Sequence, residues 1–273
     1  MFHKPLPHKQ LTQLALGALM GLAVAAPQAL AQSAEEKGLA IITEADRRDD
    51  GYGDSTATME MVLKNRHGDS SSREMRMKTK EVPDKSVGDK ALIVFDQPRD
   101  VKGTALLSFT KIIDPDDQWL YLPALKRVKR IASVNKSGPF VGSEFAFEDM
   151  ASQEVGKYSY KYLRNEPCGA LECFVVESYP QYEHSGYTKL IGWLDTTEYR
   201  SQKIDYYDRK GTLLKTLVLS DYHQYVGKYW RPHSLVMENH QSGKVSSIVW
   251  KDMKLQVGLE ESDFTKNALK RSK

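Results

Sequence analysis

The residue types that most often perform catalysis or bind metals are sparse in this chain of 273 residues. None of its seven histidines stands in a His-Glu-x2-His pattern. Neither a Gly-x-Ser-x-Gly turn nor a Gly-x4-Gly-Lys-Ser/Thr phosphate loop occurs. We therefore predict no enzyme activity, no metal site and no cofactor, although a catalytic group assembled only by folding stays open. Ordinary surface or strand positions are predicted for His67, His184, His223, His233 and His240.

The two cysteines, Cys168 and Cys173, flank the short segment Gly169–Glu172 between two strand-like stretches. In an oxidising compartment this spacing predicts a disulfide across a hairpin turn, with two free thiols as the alternative. A lone Cys-x4-Cys is weak evidence for a metal site, because no second cysteine pair accompanies it. Since the loop is short, the bridge is expected to add only modest stability.

An acidic corner at Asp114–Asp117 raises the question of calcium binding. A loop of the EF-hand type needs oxygen ligands at alternate positions, then a glycine and a distant glutamate, and only the first acids are present. Aspartate followed by proline is the usual start of a β-turn. The pattern therefore predicts a turn rather than an ion site.

A basic run over Lys126–Arg130 follows the acidic corner. One interpretation is an edge strand whose charges discourage pairing with the sheets of other chains. The other is a contact for phosphate headgroups or for an acidic partner. The side chains that would make this contact are Lys126, Arg127, Lys129 and Arg130.

Residues 1–31 have the pattern of a cleaved secretory signal peptide. Lys4 and Lys9 precede an apolar stretch over residues 11–26, and Ala29–Ala31 matches a small-x-small cleavage site. Without this segment, 37 basic side chains stand against 36 acidic ones, because it carries two basic residues and no acidic residue. We predict a soluble periplasmic monomer with one domain over residues 32–273. Near-neutral charge argues against nucleic acid as a partner.

Most of the chain after residue 50 alternates apolar and polar side chains with the period of β-strands. In the first two predicted strands, one face carries Ala57, Met59, Met61, Leu63, Met75 and Met77. Strands are also predicted at Lys157–Arg164, Glu172–Tyr179, Lys189–Leu194, Tyr199–Tyr207, Leu213–Tyr222, Trp230–Glu238 and Val245–Leu255. Helical spacing predicts an amphipathic helix over Ser33–Arg48, and Glu260–Lys273 is expected to form a short helix or a loose basic tail.

The stretch Gly88–Met150 holds the most distinctive patterns of the chain. It begins with the apolar run Ala91–Phe95 and continues as short strand-like segments separated by Gly, Pro and Asp. Its last part, Ser137–Met150, carries three phenylalanines and a methionine among small residues, with a spacing too irregular for a strand. We predict a loop or short helix that folds back over the sheet.

This stretch resembles the LolA-like family of periplasmic proteins. The resemblance is carried by Val101–Thr104, Asp116–Pro123, Arg127–Arg130, Gly142–Phe145 and Glu148–Asp149. Members are described as outer-membrane lipoprotein-sorting proteins, and the wider superfamily includes LolA, LolB and RseB. The resemblance implies a mainly β (α+β) fold, an antiparallel half-barrel of about 11–13 strands whose concave face is lidded by short helices.

The resemblance also implies a ligand: an acyl chain held against the concave face, with the phenylalanine-rich segment as its lid. The expected function is that of a soluble periplasmic carrier or chaperone for lipid or lipoprotein, working with an inner-membrane exporter of the resistance-nodulation-division type toward the outer membrane. The alternative is an RseB-like lipid sensor that regulates a membrane partner. The expected lining residues are Met59, Met61, Leu63, Met75, Met77, Leu92, Val94, Leu106, Trp119, Tyr121, Phe140, Phe145, Phe147 and Met150.

Overall fold

Most of the chain forms β-strands, in which apolar and polar side chains alternate. The computed structural model describes residues 1–2, 32–84 and 86–271, and within them thirteen strands join one sheet. The strands are β1 Asp54–Lys64, β2 Ser70–Lys80, β3 Lys90–Gln97, β4 Ala105–Phe109, β5 Asp117–Leu122, β6 Arg127–Arg130, β7 Tyr158–Cys168, β8 Leu171–Pro180, β9 Tyr187–Asp195, β10 Ser201–Asp208, β11 Leu213–Tyr225, β12 Tyr229–Asn239 and β13 Lys244–Leu255. The predicted signal peptide lies almost entirely outside the described residues, so it and the single domain over residues 32–273 stay predictions.

The sheet has the order β6-β5-β4-β3-β2-β1-β13-β12-β11-β10-β9-β8-β7, and its strand pairs are antiparallel. Strands that follow one another in sequence are paired, except β6 and β7, and the sheet is completed by the pairing of β1 with β13. Strands β6 and β7 are the free edges, so the sheet is open, as the predicted half-barrel requires. The segment between them, residues 131–157, must cross from one edge to the other, and we call it the crossover segment.

The crossover segment contains four short 3-10 helices, at Ser133–Asn135, Phe140–Gly142, Phe147–Met150 and Val155–Lys157. It lies against one face of the sheet, which we call the inner face. Pairing of β1 with β2 sets Met59 opposite Met75 and Ala57 opposite Met77, so these side chains share that face, as predicted.

Helix α1, Ala34–Asp49, also lies on the inner face, over β7 to β9. Its first turn is capped by the Ser33 hydroxyl, which accepts a hydrogen bond from the Glu36 amide. Gly38 lets the helix approach β7 closely, because a Cβ there would lie 2.7 Å from the backbone nitrogen of Tyr162. Only Gly38 and Ile41 are buried, so α1 is anchored along a narrow stripe.

The opposite, outer face is covered near β3 to β5 by the end of the chain. Helix α2, Lys266–Arg271, and the 3-10 helix before it bury Leu269 and Phe264 against β3 and β4. The C-terminal segment is therefore a short helix within the described residues, rather than a loose tail. No described helix has both the length and the apolar character needed to cross a membrane.

Candidate functional site

The inner face has two halves that differ in how they are covered. In one half the crossover segment inserts Phe140 and Phe145, which are 0% and 3% exposed, into a cluster with residues of β1 to β4 and of β9 to β13. They pack against Met59, Met61 and Met75, which are at most 2% exposed. This closed half is filled by the protein's own side chains, as in an ordinary core.

A buried ion pair fixes the crossover segment to the sheet beneath it. The Lys215 ammonium lies 2.6 Å from a carboxylate oxygen of Asp149, and their side chains are 4% and 6% exposed. Lys215 also donates to the backbone oxygen of Glu144 at 2.8 Å, and the Tyr187 hydroxyl donates to Asp149 at 2.8 Å. Removing one partner of such a pair would leave a buried charge without compensation.

Glu148 forms a second anchor for the crossover segment. Its carboxylate accepts hydrogen bonds from the Tyr182 hydroxyl at 3.1 Å, the Ser185 hydroxyl at 3.0 Å and the Gly186 amide at 2.9 Å. Burial raises the pKa of Glu148, and the neighbouring Asp149 raises it further. The crossover segment is thus held by polar contacts as well as by its phenylalanines.

The acidic corner belongs to the same system of anchors. Asp116 is half-buried, and its carboxylate pairs with Lys157 while accepting the Lys111 amide at 2.9 Å. The ammonium of Lys136 donates to the Asp116 backbone oxygen. These contacts give the corner a structural role in the loop between β4 and β5, and the turn type stays a prediction.

The second, open half of the inner face lies between α1 and the opposite ends of strands β9 to β13. Here a cavity of about 870 Å³ remains, within the range of small-molecule sites. Its apolar and aromatic lining includes Ile42, Ala45, Leu194, Tyr199, Leu219, Tyr222, Trp230, Pro232, Leu235, Trp250 and Met253.

Charged contacts hold the C-terminal end of α1 over this cavity. Arg231 pairs with Asp49, and the Lys228 ammonium donates to the backbone oxygen of Asp50 at 2.7 Å. On the other side, Arg48 donates to the backbone oxygen of Thr197 at 2.7 Å. These contacts are largely at the surface, where single ion pairs contribute little to stability.

One wall of the cavity combines a cation with an aromatic ring. Arg200 pairs with the buried Asp195 at 2.8 Å, and its guanidinium lies 4.7 Å from the ring centre of Trp230. The indole nitrogen of Trp230 is buried without a hydrogen-bond partner within the described residues. Near the same rim, burial raises the pKa of Glu154 to about 7.

The lining residues predicted from the sequence fall on both faces of the sheet. On the inner face lie Met59, Met61, Leu63, Met75, Met77, Leu106, Phe140, Phe145, Phe147 and Met150. Four others lie on the outer face, in the cluster beneath α2: Leu92, Val94, Trp119 and Tyr121. These four cannot line the inner face, because β3 and β5 turn Ile93 and Leu120 toward it instead.

The inner-face residues that border the cavity are not among the lining residues predicted from the sequence. Leu219 and Leu235 pair across β11 and β12, and Trp250 stands on β13 beside Met59 of β1. Each lies in a strand that was predicted, so the alternation in those strands was the available signal. Which positions stay uncovered depends on where the crossover segment ends, and no pattern within a single strand contains that information.

The basic run forms β6 and the turn before it, at a free edge of the sheet. Arg127, Lys129 and Arg130 are exposed, and Lys126 has the left-handed backbone conformation with φ of 49°. Arg130 pairs with Asp117 on the neighbouring strand. An edge strand is therefore present, and a role in contacting headgroups or a partner stays a prediction.

The predicted disulfide is present. Cys168 and Cys173 are bonded, with their Cα atoms 5.8 Å apart, at the turn of the hairpin formed by β7 and β8. Within the described residues no cysteine is free.

Comparisons with known proteins give a consistent family. The model of a family described as an uncharacterized protein matches residues 88–271. An outer membrane lipoprotein-sorting protein domain from Vibrio parahaemolyticus is 56% identical over 87% of this chain and 100% of that chain, with a TM-score of 0.84. A DUF1329 family protein from Desulfovibrio piger is 28% identical over 87% and 99% of the two chains, with a TM-score of 0.82.

A LolA superfamily protein from Nitrosomonas europaea shares the fold at 23% identity, over 85% of this chain and 98% of that chain, with a TM-score of 0.68. A search among curated proteins finds no match.

Proposed function

This chain belongs to the LolA-like family, and from that premise we propose that it carries or chaperones lipid or lipoprotein acyl chains in the open half of its inner face. The observation that supports this most is the cavity of about 870 Å³ beneath α1, lined by apolar and aromatic side chains together with polar and charged ones. The proposal includes no covalent chemistry of the protein's own.

Burial of apolar surface would supply the driving force. Each methylene removed from water contributes about 0.8 kcal/mol, so an acyl chain of ordinary length outweighs the cost of association. Flexible and aromatic side chains such as Met253 and Trp250 tolerate different chain positions, which suits a cargo without fixed shape. In the wall of the cavity, the Arg200 guanidinium beside Trp230 provides a charged group.

The closed half changes the role first expected of the phenylalanine-rich segment. Phe140 and Phe145 occupy the space over Met61 and Met75, where an acyl chain was expected. We therefore propose that the crossover segment is a plug that ends the cavity, and that α1 is the movable cover. A charge placed at Met61, which is 0% exposed, would disrupt the packed core before it could report on cargo.

The compartment and the partners are further parts of the proposal. A periplasmic location follows from the predicted signal peptide at residues 1–31. Sorting toward the outer membrane accords with the name of the relative from Vibrio parahaemolyticus. An inner-membrane lipid exporter as donor, and a contact through the basic strand β6, complete the proposed route.

The test compares neighbouring residues on opposite faces of β12. Leu235 lines the cavity, whereas Val236 is 36% exposed. Protein purified from the periplasm of its native host should carry lipid that is detected by native mass spectrometry and by extraction. The Leu235→Asp variant should lose this lipid, because a carboxylate beside an acyl chain must give up its hydration.

Val236→Asp is the matched control, and it should retain lipid at the level of the unaltered protein. Equal retention by both variants, or the absence of lipid from the unaltered protein, would contradict the proposal. Transfer of lipid between donor and acceptor vesicles then separates a carrier from a sensor of the RseB type, which binds lipid without delivering it.

A further inference from the structure

Three potential metal ligands meet on the exposed side of strands β11 and β12. The Nε2 atom of His223 lies 3.0 Å from a carboxylate oxygen of Asp221. The ring of His223 stacks on that of His233, with 4.1 Å between their centres. The donor atoms of all three residues lie within 4.8 Å of one another. This is close enough for small rotations of the side chains to bring them onto one ion.

The local backbone explains why these residues converge. Ser220 pairs with Ser234 and Tyr222 pairs with Pro232, so Asp221 stands opposite His233 across the two strands. Asp221 has the left-handed conformation, with φ of 55°, and the pairing of β11 with β12 is interrupted at this position without a shift of register. A left-handed residue departs from the extended backbone of a strand, so the side chains beside it no longer alternate regularly.

The exposed side of this hairpin is separate from the proposed cargo site. Tyr222 and Pro232 line the cavity on the inner side. By contrast, the side chains of Asp221 and His223 are 64% and 52% exposed. An ion bound here would therefore touch solvent, and it would tie together two strands that form the wall of the cavity.

The donor set selects a class of ion. Two imidazoles and one carboxylate suit Zn²⁺, Cu²⁺ or Ni²⁺, whereas Ca²⁺ and Mg²⁺ prefer sites built from oxygen alone. The Tyr225 hydroxyl lies 2.7 Å from Nε2 of His233 and orients that ring toward the cluster. Partners of this kind often set the direction of a ligating histidine.

We propose that Asp221, His223 and His233 bind a divalent transition-metal ion, with the remaining coordination positions open to water. This site goes beyond lipid carriage, which needs no ion. The sequence alone predicts no metal role for either histidine, because residues that meet across two paired strands have no fixed spacing along the chain.

Zn²⁺ is the probe for this site. Calorimetric titration of the tag-free protein, lacking residues 1–31, with Zn²⁺ should give saturable binding with one ion per chain, unaffected by millimolar Ca²⁺ or Mg²⁺. His223→Ala removes a ligand and should weaken this binding at least about 100-fold, since loss of an outer-shell partner alone costs about 10- to 100-fold. His67→Ala removes an exposed histidine far from the cluster in sequence and should leave the affinity unchanged.

Asp221→Asn offers a second variant that keeps the shape of the side chain. It should weaken Zn²⁺ binding about 10-fold while the thermal midpoint of the ion-free protein stays the same. The proposal is overturned if the unaltered protein shows no saturable binding. It is equally overturned if His223→Ala and His67→Ala bind Zn²⁺ alike.

Discussion

The two halves of the inner face are built from the same kind of strand, yet one half is filled by side chains and the other contains a cavity. In the closed half, Met61 and Phe140 are 0% exposed and fill the space between sheet and crossover segment. In the open half, Leu219 and Leu235 project from neighbouring strands into a cavity of about 870 Å³. The strands supply apolar side chains to both halves, so the difference lies in what covers them.

The two covers differ in how firmly they are attached. The crossover segment is continuous with both edge strands and is anchored by the buried pair of Asp149 and Lys215. In helix α1 only Gly38 and Ile41 are buried, and its C-terminal end is held by ion pairs and hydrogen bonds that are largely at the surface. A cover with few buried contacts opens at low free-energy cost, which suits the entrance of a cargo site.

The largest effect expected from this comparison is on stability. Phe140→Ala should lower the free energy of unfolding by about 3–5 kcal/mol, because it leaves a cavity in a packed core. Leu235→Ala should cost only about 1 kcal/mol, since its side chain already borders open space and loses few contacts. Urea denaturation of both variants measures the difference. Equal losses would mean that the two halves are packed alike.

How much of this arrangement could be read from the sequence depends on the strand. In β1 and β2, polar residues separate Met59 from Met61 and Met75 from Met77, so alternation alone assigned their shared face correctly. The run Ala91–Phe95 is apolar at every position, so the sequence pattern does not show which of its side chains face the inner side of the sheet. A shift of one residue exchanges the two faces, which is why Leu92 and Val94 were assigned to the wrong one.

Other features depend on distant parts of the chain and had no local signal. Leu235 is open to the cavity because the crossover segment covers Leu217 and Met237 nearer one end of β11 and β12, and leaves Leu219 and Leu235, farther along these strands, at the cavity. His223 and His233 meet through strand pairing and the left-handed backbone conformation at Asp221. By contrast, Cys168 and Cys173 are close in sequence, and their pairing was predictable from spacing and compartment.

An intermediate effect tests whether α1 is the movable cover. Gly38→Ala would gain up to about 1 kcal/mol from helix propensity. The new Cβ, however, would lie 2.7 Å from the backbone nitrogen of Tyr162 and 2.9 Å from that of Lys161, and a paired strand cannot retreat. We expect α1 to detach, with a net loss of about 1–3 kcal/mol and reduced lipid retention.

Leu39→Ala is the control on the same helix, because Leu39 is 48% exposed. Its effect on the free energy of unfolding should stay within about 0.5 kcal/mol, with lipid retention unchanged. If Gly38→Ala lost stability but kept its lipid, α1 would be structural and the cover would have to lie elsewhere.

The smallest effect concerns pH and the rim of the open half. Burial raises the pKa of Glu154 to about 7, with contributions from Asp89 and Asp46, while Lys157 acts to lower it. The folded protein therefore binds a proton here that the unfolded chain has released above pH 4.5. Because the folded state holds more protons, stability falls as pH rises from about 4.5 to about 7.

Glu154→Gln removes this titration and should make the protein more stable than the unaltered form at pH 8. The gain is about 1 kcal/mol after allowance for solvent screening, and it should vanish near pH 4.5. Glu183, whose side chain is 89% exposed, provides the control: Glu183→Gln should leave the pH profile of the unaltered protein in place. Urea midpoints measured from pH 4.5 to 8 test this prediction.

Parallel profiles for Glu154→Gln and the unaltered protein would mean that the carboxyl of Glu154 is as well solvated in the folded state as in the unfolded chain. The rim of the open half would then be wetter than its lining suggests, and an acyl chain would gain less there than the cavity volume implies.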